Sequence, residues 1–297
     1  MKYLTFADLF ESDSQPVFTL SLEELLQFGL MEDVIYAKST REKTKILMDY
    51  IEGQLFTDIL GRARVQDVDA LARMVVYIAK NTGRDLSVRE LAQVARINQR
   101  TAQRYSELLQ DAGMVVLVPA LIASAAGDNT NAANSSINSD GASSDKRSDF
   151  SNMAGGNRLA KNVGGKLKYY FTDVGIRNAL MDDFRSPNER LDNGRLWENF
   201  IVQERLKILK DKIILGLVEL NFWRNYSNQH IDYIEVHNPA AASTSAAADP
   251  PIRQINAYEI RWLPQQTLML PKKFRSLYPE AKFRIVTPLD YADFLNT

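Results

Sequence analysis

The stretch that decides the fold is residues 85–115, DLSVRELAQVARINQRTAQRYSELLQDAGMV. Ser87 can begin a short helix, because a serine oxygen accepts the free backbone N–H groups of a first helical turn. After a brief turn, a second helix is predicted over 99–110, with apolar residues at helical spacing. The apolar run 114–121 then predicts a strand. Two helices, a tight turn and a strand in this order indicate a helix-turn-helix with a wing.

The flanking sequence extends this module to residues 66–172. Residues 67–80 form one more predicted helix, and residues 166–172 supply the second strand of the wing. Between the two strands, residues 124–157 consist mainly of Ser, Asn, Ala, Gly and Asp. Such a segment cannot bury enough apolar surface to offset its ordering entropy, so we expect a disordered insertion.

Regions of different character lie on either side of the winged module. Residues 1–65 carry apolar residues at helical spacing and predict a helical region. Residues 173–297 predict a compact domain of helices and strands, interrupted by an Ala/Ser/Pro-rich insertion at 240–251. The expected fold class is therefore α+β. The strands of this last domain are predicted at 217–224, 230–237, 254–261 and 283–287.

Composition excludes several classes of chemistry. The chain of 297 residues has a formal net charge of -1, so any affinity for nucleic acid must come from a local basic surface. It contains no cysteine, which excludes disulfides, thiol catalysis and thiolate metal sites. Neither a signal peptide nor a long apolar run is visible, so we expect a cytoplasmic protein without a membrane partner.

The second helix of the helix-turn-helix offers a candidate nucleic-acid surface. Glutamine and arginine side chains project away from its apolar residues, and these side chains can contact base edges and phosphates. DNA is therefore a candidate partner. The alternative is that this surface docks another protein or is only solvated. The candidate contact residues are Arg96, Gln99, Arg100, Gln103 and Arg104.

A second set of candidate residues lies in the C-terminal domain. Glu198 belongs to an amphipathic helix, whereas Asp232 and Glu259 belong to predicted strands. If these strands are neighbours, Asp232 and Glu259 form a two-carboxylate site suited to Mg²⁺. Arg261 shares a strand face with Glu259, because residues two apart point the same way. The alternative is a buried network of ion pairs that only stabilises the fold.

Five separated blocks of sequence carry a resemblance to a known family. The chain resembles the C-terminal part of a prokaryotic family of AAA+ ATPases, from about Leu20 onward and outside the two insertions. In that family a helical lid and a winged helix precede a domain of unknown function, which is similar to the PD-(D/E)XK restriction-endonuclease-like fold. The blocks are YYFTDVGIRNAL at 169–180, GRLWENFI at 194–201, FWRN at 222–225, IDY at 231–233 and YEIR at 258–261.

The resemblance implies roles for the candidate residues. By position, Asp232 and Glu259 correspond to metal ligands, Glu198 to an auxiliary carboxylate and Arg261 to a group that stabilises phosphate charge. Arg261 stands where the nuclease motif expects lysine, and because arginine stays protonated it cannot act as a base.

The ATPase core of that family is missing from this sequence. The nearest approach to a phosphate-binding loop, residues 160–167, lacks its first glycine and its hydroxyl residue. We therefore expect no ATP site in this chain, and the candidate protein partners are an ATPase or a second copy of the chain.

The leading functional hypothesis is a non-catalytic module that associates with DNA or docks a partner, with a degenerate nuclease-like site. The first alternative is an Mg²⁺-dependent nuclease with catalytic residues Glu198, Asp232, Glu259 and Arg261. The second is a structural assembly protein that binds neither DNA nor metal.

Overall fold

The computed structural model describes residues 3–9, 20–62, 65–121, 165–238, 253–263 and 269–296. The two predicted insertions, at 124–157 and 240–251, lie outside these residues. The described part of the chain combines helices with two mainly antiparallel sheets, as expected for an α+β protein.

The first region is helical, as predicted. Ser21 and Ser39 cap α1 and α3 by accepting backbone N–H groups. Between α3 and α4 the chain forms a π-helical segment, Tyr50–Leu55, which contains Gly53, and glycine is a weak helix former. The helices are α1 (Leu22–Phe28), α2 (Glu32–Tyr36), α3 (Thr40–Asp49) and α4 (Phe56–Arg62), after a short 3-10 turn at Ala7–Leu9.

The next six elements include the two helices on which the fold prediction is based. The side chains of Asp67, Ser87 and Asn98 each accept a backbone N–H at the start of a helix. The three strands form an antiparallel sheet in the order β1-β3-β2. These elements are α5 (Val68–Lys80), β1 (Asp85–Ser87), α6 (Val88–Ala95), α7 (Gln99–Asp111), β2 (Val115–Pro119) and β3 (Lys166–Phe171).

The C-terminal region contains a second sheet in the order β4-β5-β6-β7. Its first three strands are antiparallel, and β7 joins β6 in parallel after a helical crossover. A short 3-10 turn, Pro187–Glu189, precedes the long helix. The elements are α8 (Val174–Leu180), α9 (Asn193–Ile214), β4 (Val218–Arg224), β5 (His230–His237), β6 (Gln254–Ile260), α10 (Lys272–Leu277), β7 (Lys282–Val286) and α11 (Tyr291–Leu295).

The long helix α9 is not amphipathic in its central part, in contrast to the sequence prediction. All residues from Leu196 to Leu206 are buried, charged ones included, because α9 has the β3 strand, the four-stranded sheet and the first helical region around it. Among the described helices, none is both long enough and apolar enough to cross a membrane.

The two sheets are joined directly. Ala120, just after β2, forms a parallel bridge with Phe222 of β4. The backbone N–H of Leu121 donates to the Phe222 carbonyl oxygen at 2.7 Å. The first helical region contributes to the cores on both sides of this junction, through Phe28 and Leu47 on one side and Leu26 and Leu30 on the other. The cleft described below lies at this junction.

Asp173 connects the first helical region to α8. Its fully buried carboxylate accepts the N–H of Leu30 at 2.7 Å and that of Gly175 at 2.7 Å. Gly29 has a positive φ of 73°, and a Cβ there would lie 2.0 Å from Asp173 Oδ1. Glycine at 29 therefore allows the chain to turn against this carboxylate.

We expect Asp173→Ala to lower the free energy of unfolding by about 2–4 kcal/mol, because it leaves buried N–H groups without an acceptor. The matched control is Asp67→Ala at the start of α5, where the cap side chain is 48% exposed and the loss should be about 1 kcal/mol. Urea unfolding followed by circular dichroism measures both. Equal losses in the two variants would contradict this assignment.

Candidate carboxylate site

Two of the predicted carboxylates lie side by side on neighbouring strands. Tyr233 of β5 pairs with Tyr258 of β6, and the two strands are antiparallel. Asp232, just before Tyr233, therefore lies opposite Glu259, just after Tyr258. Arg261 follows β6 and binds both of them. Its Nη1 donates to Asp232 Oδ2 at 3.0 Å, and its Nη2 donates to Glu259 Oε2.

Glu198 approaches the same place from α9. Its carboxylate is buried, and Oε1 accepts the hydroxyl of Tyr170 at 2.6 Å. Gly83, with a positive φ of 72°, lies so close that a Cβ would be 2.9 Å from the Glu198 carboxyl carbon. The structure therefore brings all four predicted residues, Glu198, Asp232, Glu259 and Arg261, into one region.

The sequence interpretation missed Lys168, which lies among these carboxylates. Its Nζ donates to Glu198 Oε1 at 2.8 Å and to the Asp232 carbonyl oxygen at 3.1 Å, and it lies 3.7 Å from Asp232 Oδ1. The side chain is only 7% exposed. Strand alternation places Lys168 on the same face as Tyr170, but no sequence signal shows that this face meets Glu198.

Burial and the neighbouring charges together shift the pKa values of Glu198, Asp232 and Lys168. Burial raises the pKa of Glu198, with the nearby Lys168 only partly opposing this. Burial alone would raise the pKa of Asp232, but Lys168 and Arg261 together lower it. Burial alone would likewise lower the pKa of Lys168, and the Glu198 and Asp232 carboxylates raise it instead. The ammonium of Lys168 is therefore charged at neutral pH.

The pKa of Glu259 is shifted in the opposite direction to that of Asp232. Burial, followed by repulsion from the Asp232 carboxylate, raises the pKa of Glu259 to about 8, with Arg261 only partly offsetting this. Two adjacent carboxylates cannot both ionise easily, so one of them keeps its proton to a higher pH than the other. At neutral pH Glu259 is therefore largely protonated, while Asp232 carries the negative charge.

His230 completes the solvent-facing side of the group. Its Nε2 lies 3.7 Å from Asp232 Oδ1, and its side chain is 49% exposed. One ligand atom from each of His230, Asp232 and Glu259 can be chosen so that all three lie within 4.8 Å of one another. The sequence interpretation treated this histidine only as an edge residue.

The resemblance implies a divalent metal ion, and the arrangement does not fit one as it stands. Mg²⁺ binds oxygens at about 2.0–2.1 Å and keeps several waters. Lys168 lies 2.8 Å from Glu198 Oε1 and 3.7 Å from Asp232 Oδ1, and Arg261 binds Asp232 Oδ2 and Glu259 Oε2. The side chains therefore form a charge network whose cations come from the chain itself.

An open cleft of about 740 Å³ lies over this network. Residues of β1 and β3 form one wall, and residues of α9, β4 and β5 form the other. The cleft is thus at the junction of the two sheets. Its lysine and arginine lining residues are Arg84, Lys168, Arg195, Arg224 and Arg261, and His230 also lines it.

The predicted nucleic-acid residues lie elsewhere, on α6 and α7. Gln99, Arg100 and Arg104 of α7 are exposed, whereas Gln103 is half-buried and donates to Glu107. Arg96 is exposed and has a positive φ of 60° at the end of α6. None of these five residues lines the cleft over the carboxylates.

We expect Glu259→Gln to become more stable, relative to the unmodified protein, as pH rises. Because the pKa of Glu259 in the folded chain is raised to about 8 from 4.5, the folded state holds a proton that the unfolded state releases between these values. Ionisation of Glu259 therefore lowers the free energy of unfolding of the unmodified protein as pH rises. The variant escapes this loss because glutamine cannot ionise. The difference in unfolding free energy between the two proteins should change by more than about 1 kcal/mol from about pH 5 to about pH 8.

Urea unfolding at several pH values measures this change. Glu280→Gln makes the same chemical change at an exposed position and serves as the control. A difference for Glu259→Gln that is flat, or that shrinks as pH rises, would show that Glu259 is ionised throughout this range.

Comparison with known proteins gives one match. Residues 19–134 match a family model described as a domain of unknown function (DUF8612). No curated protein and no solved structure matches the chain. The matched residues include α6 and α7 and end before Lys168, Glu198, Asp232 and Glu259.

Proposed function

We propose that this protein is a non-catalytic module that associates with DNA through α7 and carries a degenerate nuclease-like site. The observation that carries the proposal is the exposed face of α7. Gln99, Arg100 and Arg104 lie together on this face, on the second helix of a helix-turn-helix, and are exposed to solvent. Such a helix can enter the major groove, where glutamine and arginine contact base edges and phosphates.

The order of elements supports a winged-helix assignment for the central part of the chain. The helices α5, α6 and α7 are followed by the hairpin strands β2 and β3, and the short strand β1 joins β3 at the edge of the sheet. This order and pairing are those expected when a wing follows a helix-turn-helix. Because the net charge of the chain is -1, attraction to DNA has to come from a local basic surface. The residues at the end of α6 and on α7 supply such a surface.

The C-terminal region supports the nuclease-like part of the proposal. The order α9, β4, β5, β6, α10, β7 carries one carboxylate on the helix and one on each of the two central strands. This order, with its carboxylates, is what we expect if the region has the restriction-endonuclease-like fold that the sequence resemblance implies. Because Lys168 and Arg261 bind the carboxylates, the site is degenerate in this proposal and no catalytic step is assigned to it.

A nuclease that uses a divalent metal ion is the second candidate. The close approach of His230, Asp232 and Glu259 favours it. For a metal to bind there, Arg261 would have to leave Asp232 and Glu259, and its side chain is 37% exposed. Incubation of single- and double-stranded DNA with Mg²⁺ or Mn²⁺ tests this candidate. Cleavage that is abolished in Asp232→Asn would replace the non-catalytic proposal.

We expect the double charge reversal Arg100→Glu/Arg104→Glu to weaken binding to a 20-base-pair duplex at least about tenfold. It should also reduce the dependence of the affinity on salt, because each lost phosphate contact lowers the slope by about 1. Fluorescence anisotropy across a salt series measures both quantities.

The matched control is Lys272→Glu/Lys273→Glu, which changes the net charge equally on exposed residues of α10. This control should retain most of the affinity. If the unmodified protein does not bind DNA, or if both double variants lose affinity equally, association through α7 is wrong. A partner-docking role, with an ATPase or with a second copy of this chain, would then take its place.

A further inference from the structure

We propose that Lys168 is the resident cation of the carboxylate cluster and takes the place that a divalent metal ion would otherwise occupy between Glu198 and Asp232. This inference concerns the charge balance of the cleft and does not depend on DNA association through α7. It concerns the space between Glu198 and Asp232, whereas the pair that the sequence resemblance implies as metal ligands, Asp232 and Glu259, is bound by Arg261.

The ammonium of Lys168 lies among oxygens from two different elements. Nζ is 2.8 Å from Glu198 Oε1 on α9, and it is 3.1 Å from the carbonyl oxygen and 3.7 Å from Oδ1 of Asp232 on β5. A set of carboxylate and carbonyl oxygens around one point is the environment that a hard cation prefers. Here the positive charge at that point is the lysine's own.

Lys168 has little freedom to leave this position. It lies on β3, the central strand of its sheet, with Asp85 of β1 on one side and Val118 of β2 on the other. Its side chain is 7% exposed, and its Nζ is 5.6 Å from the centre of the Phe222 ring. Arg261, the other cation of the cluster, is 37% exposed and follows the end of its strand. A metal ion could therefore displace Arg261 more readily than Lys168.

The electrostatic cost of removing Lys168 is the second part of the argument. Glu198 and Asp232 are both buried, and a buried carboxylate without a partner is strongly destabilising. Without Lys168, Asp232 keeps Arg261 and the backbone N–H of Ile260, whereas Glu198 keeps the hydroxyl of Tyr170, which carries no charge. Loss of the Lys168 charge should thus leave a cavity with excess negative charge, lined by oxygens and open to an added cation.

The test is the binding of Mn²⁺ to Lys168→Met, measured by titration calorimetry and by thermal unfolding with and without Mn²⁺. Methionine keeps most of the length of lysine and removes the charge. We expect Lys168→Met to bind Mn²⁺ at least about tenfold more tightly than the unmodified protein, and its melting temperature to rise when Mn²⁺ is added. If Lys168→Met is unfolded without metal, Mn²⁺ should restore its folding.

Two control variants separate the charge of Lys168 from its packing. Lys168→Arg keeps the charge and should not acquire the tighter Mn²⁺ binding. Adding Glu198→Gln to Lys168→Met removes one carboxylate and should abolish the gain. A Lys168→Met variant with the Mn²⁺ affinity of the unmodified protein, or one whose folding does not respond to Mn²⁺, overturns the proposal. The DNA-binding test of α7 is unaffected by either result.

Discussion

The interaction on which the structure depends is the ion pairing of buried carboxylates at the junction of the two sheets. Glu198 and Asp232 belong to α9 and β5, whereas Lys168 belongs to the other sheet. Burying these acids requires a positive charge close by, because an unpaired buried carboxylate costs several kcal/mol. Arg261 of the four-stranded sheet pairs with Asp232 and Glu259, but the charge beside Glu198 comes from β3, so α9 buries Glu198 as an ion pair when β3 is docked against it.

Uncharged contacts strengthen the same junction. Asn199, the residue after Glu198, accepts the Phe171 N–H at 2.8 Å and donates to the Phe171 carbonyl oxygen at 2.9 Å. Thr82, next to Gly83, also bonds to Asn199. One turn of α9 therefore binds the backbone of β3 and presents a carboxylate to its lysine. The cleft and its charge network are consequences of this docking.

The local part of this fold could be predicted from the sequence, whereas the contacts between distant elements could not. Ser87 marks a helix start with a short polar side chain, α7 begins at the predicted residue 99, and β5 spans the predicted 230–237, because these signals are local. The strand β1 has only three residues and gave no periodic pattern. The burial of α9 on all sides was missed, since the elements packed on its charged positions are distant in the sequence.

The site shows the same division. Asp232, Glu259 and Arg261 could be placed together because strand alternation and a family resemblance both pointed to them. Lys168 could not, because nothing in KLKYYF at 166–171 shows that β3 faces the acids of another sheet. Because the sequence analysis identified the acids without Lys168, it predicted a Mg²⁺ site. In the structure, the acids are paired with Lys168 and Arg261 of the chain itself.

The most direct test of this account is a crystal structure determined after soaking in Mn²⁺, with anomalous scattering used to locate the ion. The account predicts Lys168 Nζ within hydrogen-bond distance of Glu198 and no anomalous peak between Glu198 and Asp232. A peak at that point, with the side chain of Lys168 displaced from it, would contradict the central claim.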